Sequence, residues 1–147
     1  MCMKKILSFF AVVLPFVSNA QKPSFNHIAF FVQDIEKSAR FYRNIVGLDT
    51  IPEPFRDGKH VWFSLGNNTA LHLIGGAQET KVQDQNNHLA ISVPSIEAFI
   101  GRLSNANIPY EDAQRKPNSI TTRPDGIKQI YVKDPDGHWI EINDARR

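Results

Sequence analysis

The chain has 147 residues, 41% hydrophobic and 22% charged, with 17 Lys and Arg against 15 Asp and Glu. One domain is the expectation at this length, the apolar fraction is enough for a core, and the balanced charge excludes a long disordered tail. A clustered basic excess is missing, so no nucleic-acid partner is expected, and neither a Gly-Lys-Ser/Thr phosphate loop nor a Gly-x-Gly-x-x-Gly helix start occurs.

Met1 to Ala20 reads as a cleaved export signal. Lys4 and Lys5 precede a nearly unbroken apolar run from Ile6 to Val17, and Ser18-Asn19-Ala20 offers small residues for a peptidase. The run is shorter than the roughly 20 residues of a membrane span, and Pro15 and the polar Gln21 oppose a buried helix. Cys2 lies before the run, which argues against lipidation. The expected mature chain starts near Gln21, is periplasmic or secreted, and has no membrane contact after cleavage. It has 15 basic and 15 acidic residues, and loss of Cys2 excludes disulfides and cysteine nucleophiles.

The mature chain alternates strand and helix signals. Ile28, Phe30 and Val32 alternate with His27, Ala29 and Phe31, as a half-buried strand requires. Asp34 is a helix N-cap, Ile35, Ala39, Tyr42, Ile45 and Val46 form an apolar stripe, and Gly47 stops the helix. A short extended piece follows near Asp49–Pro52. A hairpin is then predicted from His60–Leu65 and Thr69–Ile74, joined by Gly66-Asn67-Asn68. Residues 78–86 are polar and aperiodic, a linker.

The pattern then repeats. Asn26-His27-Ile28-Ala29 returns as Asn87-His88-Leu89-Ala90, an offset of 61 residues. Ser95 caps a second helix striped by Ile96, Phe99, Ile100 and Leu103, an extended piece lies near Pro109–Asp112, and Ile127–Lys133 and His138–Asn143 are joined by the turn Asp134-Pro135-Asp136-Gly137. The order is β-α-β-β-β twice: one domain over 21–147, with module one at 25–77 and module two at 87–144.

Strand alternation puts the apolar residues of each module on one face and His27, His72, His88 and Glu141 on the other, the expected lining of a cleft. Three imidazoles and a carboxylate on strands suit a divalent ion such as Zn, Ni, Fe or Mn. Glu141, between Ile140 and Ile142, is costly to bury without a partner, and a metal is one. Trp139 shares its face and is a candidate cavity wall, as is Trp62 or Phe63. Arg123 and Lys128 read as an anion contact for a substrate carboxylate or phosphate, or as part of a solvated turn. His60 and His138, beside turns, are expected to be exposed.

These features resemble the vicinal oxygen chelate superfamily: the paired modules, the Asn-His-Ile/Leu-Ala starts, Phe41-Tyr42-x-x-x-x-Gly47-Leu48 and Asp134-Pro135-Asp136-Gly137-x-x-x-Glu141. That family holds glyoxalase I, bleomycin-resistance proteins, extradiol dioxygenases and fosfomycin-resistance enzymes. The resemblance implies an α+β fold whose two tandem βαβββ modules form a curved mixed sheet around a cleft, with metal ligands at His27, His72, His88 and Glu141. It implies a homodimer and a small-molecule substrate with vicinal oxygens. His72 stands where glyoxalase I carries Glu or Gln, which leaves Glu141 as the strand carboxylate able to act as base. The expected function is a metal-dependent glyoxalase-like lyase or isomerase. The alternatives are an Fe(II) or Mn(II) dioxygenase and a metal-free binding protein of the bleomycin-resistance kind.

Overall fold

The structure, a computed structural model, describes residues 22–80 and 82–146; the expected export signal and Cys2 lie outside them. Module one contributes β1 (His27–Val32), α1 (Ile35–Arg40), β2 (Thr50–Ile51), β3 (His60–Gly66) and β4 (Thr69–Gly75). Module two contributes β5 (His88–Ser92), α2 (Ile96–Asn105), β6 (Tyr110–Glu111), β7 (Thr121–Thr122), β8 (Lys128–Lys133) and β9 (Trp139–Asn143). The α+β fold of two βαβββ modules is therefore present, with β7 as an added short strand.

Each module forms its own mixed sheet. The orders are β1-β4-β3-β2 and β5-β9-β8-β6, with β7 paired to β8. In both, the first strand runs parallel to the last, so Ala29 faces His72 and Ala90 faces Glu141 across neighbouring strands. The curved mixed sheet that the resemblance implies is made of one mixed sheet from each module.

Local signals account for the helices. Asp34 accepts a hydrogen bond from the Lys37 N–H at 2.9 Å, and the Ser95 hydroxyl accepts one from the Ala98 N–H at 3.1 Å. Each cap satisfies a donor that a helix start leaves orphaned. The first helix is not α-helical throughout: Phe41–Val46 continues α1 as π-helix and ends at Gly47, left-handed at φ 89°. That conformation favours glycine. A Cβ there would also meet Arg102 Nη1 at 3.0 Å, because this guanidinium donates to the Ile45 carbonyl at 2.9 Å.

One core joins the modules. Phe30, Val32, Phe63, Leu71 and Leu73 of the first sheet cluster with Ile130, Val132, Ile140 and Ile142 of the second, with Ala39, Tyr42, Phe99 and Leu103 from the helical segments. Leu71, Leu73, Ile140 and Ile142 are fully buried, each stabilising the fold by roughly 2 kcal/mol. The β8–β9 turn fastens the modules further. Buried Asp134 accepts hydrogen bonds from the Tyr42 hydroxyl and from His138 Nδ1, each at 2.8 Å. Buried Asp136 accepts from the Gln33 N–H at 2.7 Å and the Ser38 hydroxyl at 2.6 Å.

Candidate metal and substrate site

Because both apolar faces enter the shared core, the opposite face of each sheet is turned outward. His27, His72 and Trp62 lie on the module-one face, and His88 and Glu141 on that of module two. The four expected ligands therefore form two pairs within one chain. Among the described residues no three His, Cys, Asp or Glu side chains gather into a metal-holding group.

The module-two pair is built into a hydrogen-bonded network. Glu141 is 9% exposed at its side chain and His88 25%. His88 Nδ1 lies 2.8 Å from the Gln85 carbonyl oxygen, an acceptor, so Nδ1 carries the hydrogen. In the neutral ring the Nε2 lone pair then faces Glu141 Oε2 at 3.3 Å. A lone pair opposed to a carboxylate oxygen needs a cation between them, either a proton or a metal. The 3.3 Å gap suits two neighbouring ligands of an ion bonded at about 2.1 Å to each. A carbonyl holding the other ring nitrogen is also how a ligating histidine is oriented.

Glu141 is held from two further directions. The Asn143 side-chain amide donates to Oε1 at 2.7 Å, and the Tyr131 hydroxyl donates to Oε2 at 2.9 Å. Gln129 donates to the Tyr131 oxygen at 2.9 Å, and the Ser92 hydroxyl donates to Asn143 at 2.9 Å. Burial, then the bond to Glu141, pushes the Tyr131 phenol up to about 12, so it remains a hydrogen donor near neutral pH. Sequence reasoning missed Tyr131, Gln129 and Asn143. The signal was there: Gln129 and Tyr131 alternate with Ile130 and Val132, and the β8–β9 register places Tyr131 beside Glu141.

The module-one pair differs. His27 Nδ1 lies 2.7 Å from Asn26 Oδ1, so, as at the repeat-equivalent His88, Nε2 is the nitrogen left with the lone pair in the neutral ring. His72 is sandwiched between His27, with ring centroids 4.3 Å apart and 9° between planes, and Trp62, at 3.8 Å and 2°. The lone pairs of stacked rings lie in parallel planes and do not converge on one ion. Burial, then the charges of His27 and His60, push the His72 imidazole below its usual range. Trp62 Nε1 is buried without a hydrogen-bond partner among the described residues.

The other expectations divide. Arg123 lines a cavity of about 580 Å³ together with His88 and Glu141. Lys128 does not reach it. Its ammonium pairs with Glu97 of α2 at 2.6 Å, because residue 128 shares the core-side alternation of Ile130 and Val132. Trp139 is buried, donates its indole N–H to the Gln83 carbonyl at 3.1 Å, and lines a second cavity of about 310 Å³ between the modules. Phe63 is fully buried in the core, leaving Trp62 to the outward face. His60 and His138 are not exposed as expected, at 18% and 12% of the side chain. His60 is held by Asp57 and stacks on Phe55, and His138 is held by Asp134 and stacks on Phe30 with centroids 4.2 Å apart.

Comparison with known proteins agrees with this architecture. Human mitochondrial methylmalonyl-CoA epimerase is 32% identical over 131 residues, spanning 82% of this chain and 73% of that protein. The metallothiol transferase FosB of Shouchella clausii is 27% identical over 122 residues, spanning 80% and 77%. The solved structure of oxidase ChaP-H2 is similar at a TM-score of 0.71 and 26% identity, covering 86% of this chain and 96% of that one. A family profile matches residues 24–142, and the chain belongs to the Glyoxalase/Bleomycin resistance protein/Dioxygenase superfamily.

Proposed function

We propose that the protein is an exported, metal-dependent lyase or isomerase of the glyoxalase type, acting on a small substrate with vicinal oxygens. The observation that carries this reading is the His88 lone pair set against Glu141, with the other ring nitrogen tied to a carbonyl. We assign the ion to His88 and Glu141 on one chain and to His27 of the partner subunit in a homodimer, since His27, like His88, has Nδ1 tied to an oxygen and Nε2 left as the ligating nitrogen. His72 stays in its stack and backs His27. A divalent ion (Zn, Ni, Fe or Mn), when bound, supplies Lewis-acid polarisation of substrate oxygens. Glu141 is the proton acceptor, because Asn143 and Tyr131 fix its carboxylate and leave lone pairs unused. Tyr131 stays protonated and orients Glu141 rather than accepting a proton itself.

A dioxygenase reading stands second. Two histidines and one carboxylate are the donor set of non-haem Fe(II) oxygenases, and the similar ChaP-H2 structure is named an oxidase.

Metal analysis of the purified protein by plasma mass spectrometry tests the site. About one transition ion per chain is expected, lost in Glu141→Gln and His88→Ala with the circular dichroism unchanged. Protein that is metal-free and also refuses added ions overturns the enzyme reading. An oxygen-dependent product formed only with Fe or Mn selects the second reading. For export, the amino terminus of the protein recovered from cells is decisive: Gln21 supports cleavage and a retained Met1 rejects it.

A further inference from the structure

We propose that the cavity beside Glu141 contains a carboxylate subsite formed by Arg123, so that the substrate is a small acid with an anionic group apart from the oxygens held at the metal. This rests on the metal reading above and names the substrate class for the same site.

Arg123 is fixed in place before any ligand arrives. It opens the β7–β8 turn, where its N–H donates to the Ile127 carbonyl at 2.8 Å and its carbonyl accepts from the Gly126 N–H at 2.9 Å. Gly126 takes φ 83°, a left-handed conformation that suits glycine in this turn. Asp125 accepts from Arg123 Nη2 at 2.7 Å. That bond uses one of the five guanidinium N–H donors and leaves the rest of the fork for a ligand.

The surroundings select the ligand. The cavity is lined by His88, Glu141, Ser92 and Asn143 on the strands and by Arg123 and Arg146 outside them. Arg123 and Glu141 line the same cavity, so the guanidinium shares it with the Glu141 network. Lys128, the nearest alternative cation in sequence, is committed to Glu97. Asp125 and Glu141 already line the cavity, so a doubly charged phosphate meets more repulsion than a carboxylate, whose two oxygens match one edge of the fork. The outward module-one strand residues His27, Ala29, Phe31, Trp62 and His72 offer no Lys or Arg, so the acid group is directed to module two.

The test is calorimetric titration of the metal-supplemented protein with three probes that share a 2-hydroxy acid: lactate, malate and 3-phosphoglycerate. Malate is expected to bind at least about tenfold more tightly than lactate, a difference of about 1.4 kcal/mol. That preference should collapse in Arg123→Gln and return in part in Arg123→Lys. Equal affinities, no malate binding, or a malate preference that survives Arg123→Gln would overturn the subsite. Tighter binding of 3-phosphoglycerate than of malate would overturn the carboxylate class. Metal content measured on the same samples separates the two readings. A chain that takes up no metal rejects the metal centre alone, and a malate preference that still depends on Arg123 continues to support the subsite.

Discussion

The two modules share element order, helix caps and a parallel pairing of first and last strands, yet their outward faces carry opposite chemistry. Module one shows a stack of rings, His27, His72 and Trp62, with an indole N–H that finds no acceptor among the described residues. Module two puts Glu141 at the strand position matching His72 and surrounds it with Asn143, Tyr131 and His88. Their β-turns differ as well. Asn67 and Asn68 are exposed at positive φ, whereas Asp134 and Asp136 are buried and hold the modules together. The repeat keeps the inward residues that build one core and leaves the outward ones free to diverge, which gives two unlike half-sites on one scaffold.

The turns give the largest expected effect. Asp134→Ala removes the acceptor of the Tyr42 hydroxyl, of His138 Nδ1 and of the Asp136 and His138 backbone N–H groups. Leaving several buried donors unpaired should cost on the order of 3 kcal/mol or more in urea unfolding. Asn67→Ala strains a residue at φ 47° and should cost about 1 kcal/mol. Equal losses would break the contrast between a turn that clamps the modules and one that only reverses the chain.

The lower-level features were legible because local physics sets them. Asp34 and Ser95 precede apolar stripes, Gly47 follows one, and alternation in β1 and β5 assigned the inward residues correctly. The face of Tyr131 could have been read too, since it alternates with Ile130 and Val132, but its place opposite Glu141 depends on a register in which Lys133 pairs with Trp139 rather than His138. The burial of His138 could not. It depends on Phe30 of the other module covering the ring, a contact between residues 108 positions apart. The separation of the four expected ligands into pairs has the same origin, because alternation gives the face of a strand but not the direction in which two sheets are turned. Lys128 shows the converse, a cation beside a promising turn whose strand parity sends it to α2.

The network around Glu141 is probed by Tyr131→Phe. Losing a donor to a carboxylate should cost roughly 1.5–3 kcal/mol near neutral pH. Burial and the bond to Glu141 raise the folded-state value from the usual 10.0 to about 12, so the folded protein holds this proton more tightly than the unfolded chain does. The resulting stability is fully present below pH 10 and is lost as pH rises from 10 toward 12. The gap between wild type and variant in urea midpoint should therefore narrow between pH 10 and pH 12. A constant gap would mean that Tyr131 does not hold Glu141 through its hydroxyl.

The smallest expected effect is at His72, where the two half-sites differ most sharply. Phenylalanine keeps a flat ring between His27 and Trp62, so His72→Phe should retain the metal, while Glu141→Gln at the matching position loses it. Loss of metal in both variants would make His72 a ligand and require its ring to leave the stack. Stability carries a second signature. Burial, with the His27 and His60 charges behind it, lowers the folded-state value of His72 below the usual 6.5, so the unfolded chain binds this proton more readily. Its contribution is present above about pH 6.5 and is lost as pH falls toward the lower folded value. His72→Phe should flatten that acid-side loss slightly, and proton NMR titration of the wild type should find one imidazole titrating below the ordinary range. A His72 that titrates at or above 6.5 would mean that the ring is solvated, and that the stack does not shield it.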